Sequence, residues 1–245
     1  MRESKNETCD LREMVYNLKA ETDEEAIIRQ LKKIEAKLIT EYVIKAEGLI
    51  IEPLWVEAYY FNKNVFSDCN THLSEKQKNR FGQLYFHEKG RGGFDICLSD
   101  SEDYYLSFLL KRTLINGEFV KQTEIEDVLK KYGKTKEELE NVEEVLVKRE
   151  ANQNYKVRYT TRIGLEKPCY KDEKLAAFPL EAITQYDFSS DRKALIPVVR
   201  TEMKKYIENP KCTKEYCKSK CKEIFDWCPD CVSKMIQAKK EADKK

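Results

Sequence analysis

The stretch Tyr42–Tyr60 constrains the fold most. It carries the runs YVI, LII and LWVEAYYF, rich in β-branched and aromatic residues, directly after a segment of helical periodicity. In that preceding segment Ile27, Ile28, Leu31, Ile34 and Leu38 recur at the spacing of one helix face. Thr22-Asp-Glu-Glu25 has the form of a capping box, so a helix is predicted from Thr22 to Thr40. Further along, QLYFHEKGRGGFDICLS reads as two strand-like pieces around the turn Lys89-Gly90-Arg91-Gly92-Gly93, and an apolar run follows at Tyr104–Leu110. Three of the chain's eight glycines fall in that turn.

The rest of the chain is read more coarsely. Residues 61–80 are polar and read as a long loop. Capping boxes at Thr123…Glu126 and Thr135…Glu138 predict two short charged helices within 123–147, faces of the kind that serve solvation. YKVRYTTRIGLE reads as a strand entering a loop, and Asp191–Ile207 as a helix bent in its first turns by Pro197.

Composition narrows the function classes. Charged residues make up 36% of the 245, yet 45 Lys+Arg against 44 Asp+Glu leave a net charge of +1. That excludes indiscriminate nucleic-acid binding through a highly basic surface and leaves room only for a local basic patch. No apolar run approaches the ~20 residues of a membrane helix, and the opening MRESKNETCD has no apolar signal core. The expectation is a soluble, cytoplasmic protein with no membrane partner.

Chemistry-bearing residues gather in the strand-rich part. Glu57 stands among Trp55, Tyr59 and Tyr60, and strand alternation puts Trp55, Glu57 and Tyr59 on one face. A carboxylate there either reaches water at a strand edge or is buried, which is costly unless it is paired or used. The chain has two histidines. His72 lies in the loop segment Asp68-Cys-Asn-Thr-His72 and reads as a surface residue or as part of a site. His87 precedes the Lys/Arg/Gly turn, which is either an ordinary hairpin or a phosphate-binding loop.

Together these pieces resemble a family. Glu57-Ala58-Tyr59, a loop histidine, GQLYFHEKGRGGFDICLS and LSFLLKR are similar to the motifs of the alkyladenine (3-methyladenine) DNA glycosylase superfamily. The matching positions include Gly82, Leu84, Tyr85, Phe94, Ser99, Leu109, Leu110 and Lys111, and Thr161-Arg162-Ile163-Gly164 looks like the family's C-terminal element. The likeness extends over residues 23–166, with gaps.

The resemblance implies an α+β fold: a single mixed domain around a curved antiparallel β-sheet with flanking helices, spanning residues 22–207. An N-terminal tail (1–21) would precede it and a Cys-rich C-terminal extension with a charged tail (208–245) would follow. It implies extrusion of a damaged, alkylated purine from duplex DNA into a pocket, with DNA as partner, and hydrolysis of its N-glycosidic bond. Glu57 then activates water as the catalytic residue, without a catalytic cofactor. Tyr59 stacks on the base, and His72, Tyr85 and His87 line the pocket. Lys111, or Arg112 with a one-residue shift, borders the site. Lys89, Arg91, Gly92, Gly93 and Arg162 hold backbone phosphates. The sequence also departs from the family. The intercalating tyrosine falls near Gly90, a purine-rejecting asparagine falls at Cys97, and the segment 123–147 replaces the family's own linker. Two other functions fit the same residues: a non-catalytic nucleic-acid or modified-base binding protein, or a hydrolase of free nucleosides or nucleotides.

Five of the nine cysteines fall between Cys212 and Cys231, a clustering that needs a local cause. Cys217 and Cys221 share a helix face at i,i+4, and Cys228-Pro-Asp-Cys231 forms a C-x-x-C knuckle. Cys217, Cys221, Cys228 and Cys231 can therefore make a closed structural zinc site. Disulfides in an oxidised chain are the alternative.

Overall fold

A computed structural model describes residues 9–68, 70–87, 92–151, 156–160 and 181–185. Helices α1 (Cys9–Ala20) and α2 (Glu24–Thr40) lead into β1 (Tyr42–Ala46), β2 (Leu49–Asn62) and β3 (Phe66–Ser67). Strands β4 (Gln83–Phe86), β5 (Phe94–Cys97), β6 (Tyr105–Ile115) and β7 (Glu118–Lys121) follow. Helices α3 (Ile125–Lys131) and α4 (Lys136–Glu140) precede β8 (Leu146–Lys148), β9 (Lys156–Thr160) and β10 (Glu181–Gln185). The fold is α+β: the strands form one curled antiparallel sheet with helices against it, its main path running β4-β5-β6-β2-β1-β8.

Strand β2 organises the sheet. Its 14 residues pair with β6 along one edge, with register shifts between Pro53 and Val56. The other edge takes β1, then β10, then β3. A shift in register at Trp55 is a bulge, which bends the strand and helps the sheet curl. From Val56 onward, alternation is clean. Val56, Ala58 and Tyr60 of β2 join Leu106, Phe108 and Leu110 of β6 and Phe94 and Ile96 of β5 in the buried core. Helix α2 contributes Ile27, Leu31, Ile34 and Leu38 to that same core, each fully buried.

Local chemistry sets the boundaries. Helix α2 ends at Thr40 as the periodicity predicts, but its N-cap is Asp23, whose carboxylate accepts from Ala26 N–H at 2.8 Å. Aspartate caps as well as threonine, so the start moves one residue inward. Thr135 caps α4 as expected, with Glu138 completing the reciprocal box. Thr123 does not cap α3: it lies in a 3-10 turn, Gln122–Glu124, and α3 starts without a side-chain cap. Neither short helix is a purely solvated face, since Ile125, Leu129 and Leu139 are buried. The loop 61–80 carries β3 and a 3-10 turn at Glu75–Gln77.

Residues 1–21 were expected to precede the domain as a tail. Within them α1 buries Leu11, Val15 and Leu18 completely in the main core. Lys19 pairs with Asp100 at 2.9 Å, and the Arg12 guanidinium lies 4.0 Å from the Phe81 ring centre. The helix predicted at Asp191–Ile207 and the Cys-rich extension lie outside the described residues. No helix among the described residues is long and apolar enough to cross a membrane.

Candidate functional site

The strand registers lay out two adjacent rows of residues. Tyr85 of β4 is opposite Asp95 of β5, Asp95 opposite Leu109 of β6, and Leu109 opposite Glu57 of β2. The next row is Gln83, Cys97, Ser107 and Tyr59. Residues opposite one another in a sheet share a face, as do residues two apart on a strand. All eight positions therefore lie on the face opposite the apolar core, and Lys111 and His87 extend the same parity.

Glu57 is 1% exposed and is paired rather than reaching water. The Lys111 ammonium donates to Oε2 at 2.7 Å, and the Tyr59 hydroxyl donates to Oε1. Trp55 flanks the pair, its ring centre 5.1 Å from Lys111 Nζ. Arg112 lies one residue on, opposite Trp55 in register. It spends one guanidinium nitrogen on the Lys111 carbonyl at 2.7 Å and also lies 5.1 Å from the Trp55 ring centre. Of the two cations allowed by the sequence, Lys111 is the one that meets Glu57.

A second cluster adjoins the first. His72 is exposed, and its Nδ1 lies 3.1 Å from the Tyr85 hydroxyl. The rings of His72, Tyr85 and His87 form a triangle with centroid separations of 5.6, 5.4 and 5.6 Å, all tilted. His87 Nε2 lies 2.8 Å from Oδ1 of Asp95, a carboxylate only 2% exposed. The other oxygen of Asp95 accepts from the Gln77 amide at 2.9 Å and the Ser107 hydroxyl at 2.8 Å. Burial alone would push the His87 pKa down. The charge of Asp95 and its hydrogen bond outweigh that and raise it above 6.5, with Lys136 opposing weakly. Burial pushes the Cys97 thiol well up, so it remains a neutral, unreactive group.

Both clusters meet at Ser107, which stands opposite Tyr59 and donates to Asp95. Glu57 and Tyr59 are thus one contact group, His72, Tyr85 and His87 another, on one face with Leu109 between Asp95 and Glu57. Gly93 makes room there. A side chain would place its Cβ 3.2 Å from Leu109 Cδ1, and its φ of +124° suits glycine alone. The Gly93 carbonyl accepts from His87 N–H at 3.1 Å, closing the hairpin.

Sequence reasoning passed over Asp95, Gln77, Ser107 and Glu35. Glu35 of α2 is fully buried and its Oε1 accepts from Ala58 N–H at 3.2 Å, next to Glu57. Its signal was its position four after Leu31 and seven after Ile28, a charge on the apolar helix face. Asp95 alternates with apolar Phe94 and Ile96, the same pattern that marks Glu57.

Lys89, Arg91, Arg162 and the cysteines Cys217, Cys221, Cys228 and Cys231 lie outside the described residues. Among the described residues no three His, Cys, Asp or Glu side chains stand together as a metal site. A groove of about 790 Å³ runs along the β4 edge, with Lys76, Arg80, Gln83 and His87 facing Lys136 and Glu140. Glu57 and Tyr59 do not line it, so His87 borders both the groove and the aromatic cluster. No protein-family model matches the chain, and no curated protein matches it significantly.

Proposed function

We propose that the protein hydrolyses the N-glycosidic bond of a damaged purine nucleotide turned out of DNA, with Glu57 orienting the attacking water. The observation that carries this reading is the buried Glu57 carboxyl held by Lys111 and Tyr59 beside Trp55. Departure of a base leaves positive charge on the sugar, and a fixed carboxylate in a site poor in water stabilises that charge. Tyr59 and His72 offer faces and edges for a flat base. Lys111 fixes the carboxylate rather than contacting phosphate. Lys89, Arg91 and Arg162 supply cations for the flanking backbone, and the Cys-rich extension holds a structural zinc.

The test is release of the base from duplex oligonucleotides that each carry one alkylated purine, followed as abasic sites, with Glu57→Gln as control. The expected result is cleavage by the wild type and loss of about 10²-fold or more in the variant. Equal cleavage by both would remove Glu57 from the chemistry. The net charge of +1 favours a second reading, a hydrolase of free nucleosides, because a duplex attracts a neutral protein weakly. Turnover of nucleosides without duplex binding selects it.

A further inference from the structure

Lys111 stands on β6, the strand paired with β2, and its nitrogen lies 2.7 Å from Glu57 Oε2. The two side chains are 11% and 2% exposed, so the lysine is the more open of the pair. Its nitrogen is also 5.1 Å from the Trp55 ring centre. As a fixed counter-ion for a buried carboxyl a guanidinium is better suited, because its planar fork can grip both oxygens and keeps its charge. An arginine stands at the next position, yet Arg112 turns to the Lys111 carbonyl and the Trp55 ring. An amine offers what a guanidinium does not. Once it gives up a proton, its lone pair is a nucleophile toward carbonyl carbon. The acceptor for that proton is in place, since Glu57 Oε2 is hydrogen-bonded to the same nitrogen. Tyr59 holds the other oxygen, so the carboxyl stays fixed while it takes and returns a proton.

Hydrolysis of an N-glycosidic bond in DNA leaves a deoxyribose whose C1′ opens to an aldehyde. A carbon that meets the Glu57 carboxyl is also within reach of an amine 2.7 Å from it. Resting on the reading that places a sugar C1′ at Glu57, we infer that Lys111 is a second nucleophile of the site. It condenses with the aldehyde of an abasic sugar and cuts the strand on the 3′ side. The steps balance without a cofactor. The Lys111 ammonium passes one proton to Glu57, and its nitrogen adds to C1′ and hands a second proton to the carbonyl oxygen. Glu57 returns the first proton to that hydroxyl, which leaves as water, and an iminium joins C1′ to Nζ. The carboxylate then takes a proton from C2′, and the C3′–O bond breaks with its electron pair on the departing phosphate. Water hydrolyses the iminium to an unsaturated aldehyde and the starting ammonium, and Glu57 loses its proton to solvent.

The experiment uses the full chain with oligonucleotides, duplex and single-stranded, that carry one preformed abasic site, so no base release is needed. Borohydride reduces the iminium to a secondary amine and fixes the protein to the DNA. The expected wild type gives a covalent complex whose proteolytic fragments carry the sugar on Lys111. Without borohydride it gives a strand cut 3′ to the site. Lys111→Arg, which keeps a cation beside Glu57, should lose both the complex and the cut. Glu57→Gln should slow the cut about 10²-fold. No complex from the wild type, attachment at another amine, or a complex undiminished in Lys111→Arg overturns the inference. Mapping on the wild type depends on no variant folding. Base release from alkylated purines is followed in parallel. If it occurs and is lost in Glu57→Gln while no complex forms, the glycosidase reading stands and Lys111 is a counter-ion alone. If a complex forms on Lys111 and no base is released, the strand-cutting role stands and the glycosidase reading falls.

Discussion

Lys111→Met removes the ammonium 2.7 Å from Glu57 Oε2 while keeping the length and most of the bulk of the side chain. At an effective dielectric of about 20, direct attraction at that distance is about 6 kcal/mol. Desolvation of two side chains exposed by only 2% and 11% offsets much of it. Removing one partner of such a pair costs about 3–5 kcal/mol, because the remaining charge is left buried. The Tyr59 hydroxyl still donates to Glu57 in the variant, which places the expected loss near the lower figure, about 3 kcal/mol. For a domain of this size that lowers Tm by about 6–12 °C.

Urea unfolding of the wild type, Lys111→Met, Glu57→Gln and the double variant measures the cycle. The double variant should recover most of the loss, with a coupling above about 1.5 kcal/mol. A single-variant loss under 1 kcal/mol, or a coupling near zero, would refute the claim that these two groups hold each other in the site.

Gly93→Ala should destabilise the domain by about 1–3 kcal/mol, since φ is +124° and the new Cβ would sit 3.2 Å from Leu109 Cδ1; a neutral effect in chemical unfolding would show that the hairpin relaxes freely. Glu140→Ala removes the carboxylate that accepts from Phe86 N–H at 2.5 Å on the outer edge of β4. Faster amide exchange at Phe86, at a cost of about 1 kcal/mol in global stability, is expected, and unchanged protection would show that this edge does not depend on α4. The reduced full chain should carry about one zinc, lost in Cys228→Ser; thiol counting that finds these cysteines paired, with no metal, would make the tail disulfide-linked.

The sequence makes the face of β2 readable because strand period needs no knowledge of partners. Glu57 and Tyr59 alternate and meet in one hydrogen bond, and Lys111 joins Glu57 and lies over Trp55 despite the bulge there. Helix α2 is readable for the same reason, and its last residue follows from the change of period at Tyr42. Helix α1 is encoded equally well, by Leu11, Met14, Val15 and Leu18 at i, i+3, i+4 and i+7, but polar neighbours hide it. The turn into β7 carries Asn116-Gly117, both at positive φ, the strongest local hairpin signal in the chain. Strand β8 has three residues and exists only because β1 offers an edge. The Asp95 network is illegible for a different reason. Gln77 comes 18 residues before Asp95 from a loop, and Ser107 comes from β6, so the partners are set by register and loop path, which no local pattern encodes.

The division of the sheet into two faces bears on why the polar groups are there at all. The apolar face, with α1 and α2 over the core, supplies the hydrophobic burial that drives folding. Nothing in that packing requires a glutamate, a lysine, an aspartate and a histidine on the other face. Buried ion pairs are weak contributors to stability, and apolar replacements of similar volume are often neutral or better. Among the described residues the chain nevertheless holds two such pairs, Glu57 with Lys111 and Asp95 with His87, on one face with Leu109 between Asp95 and Glu57. The row thus sets a carboxylate held by an ammonium at one end and an imidazole held by a carboxylate at the other. Charge kept at such a cost on the face that packing does not need is what the proposed use of Glu57 in chemistry would account for.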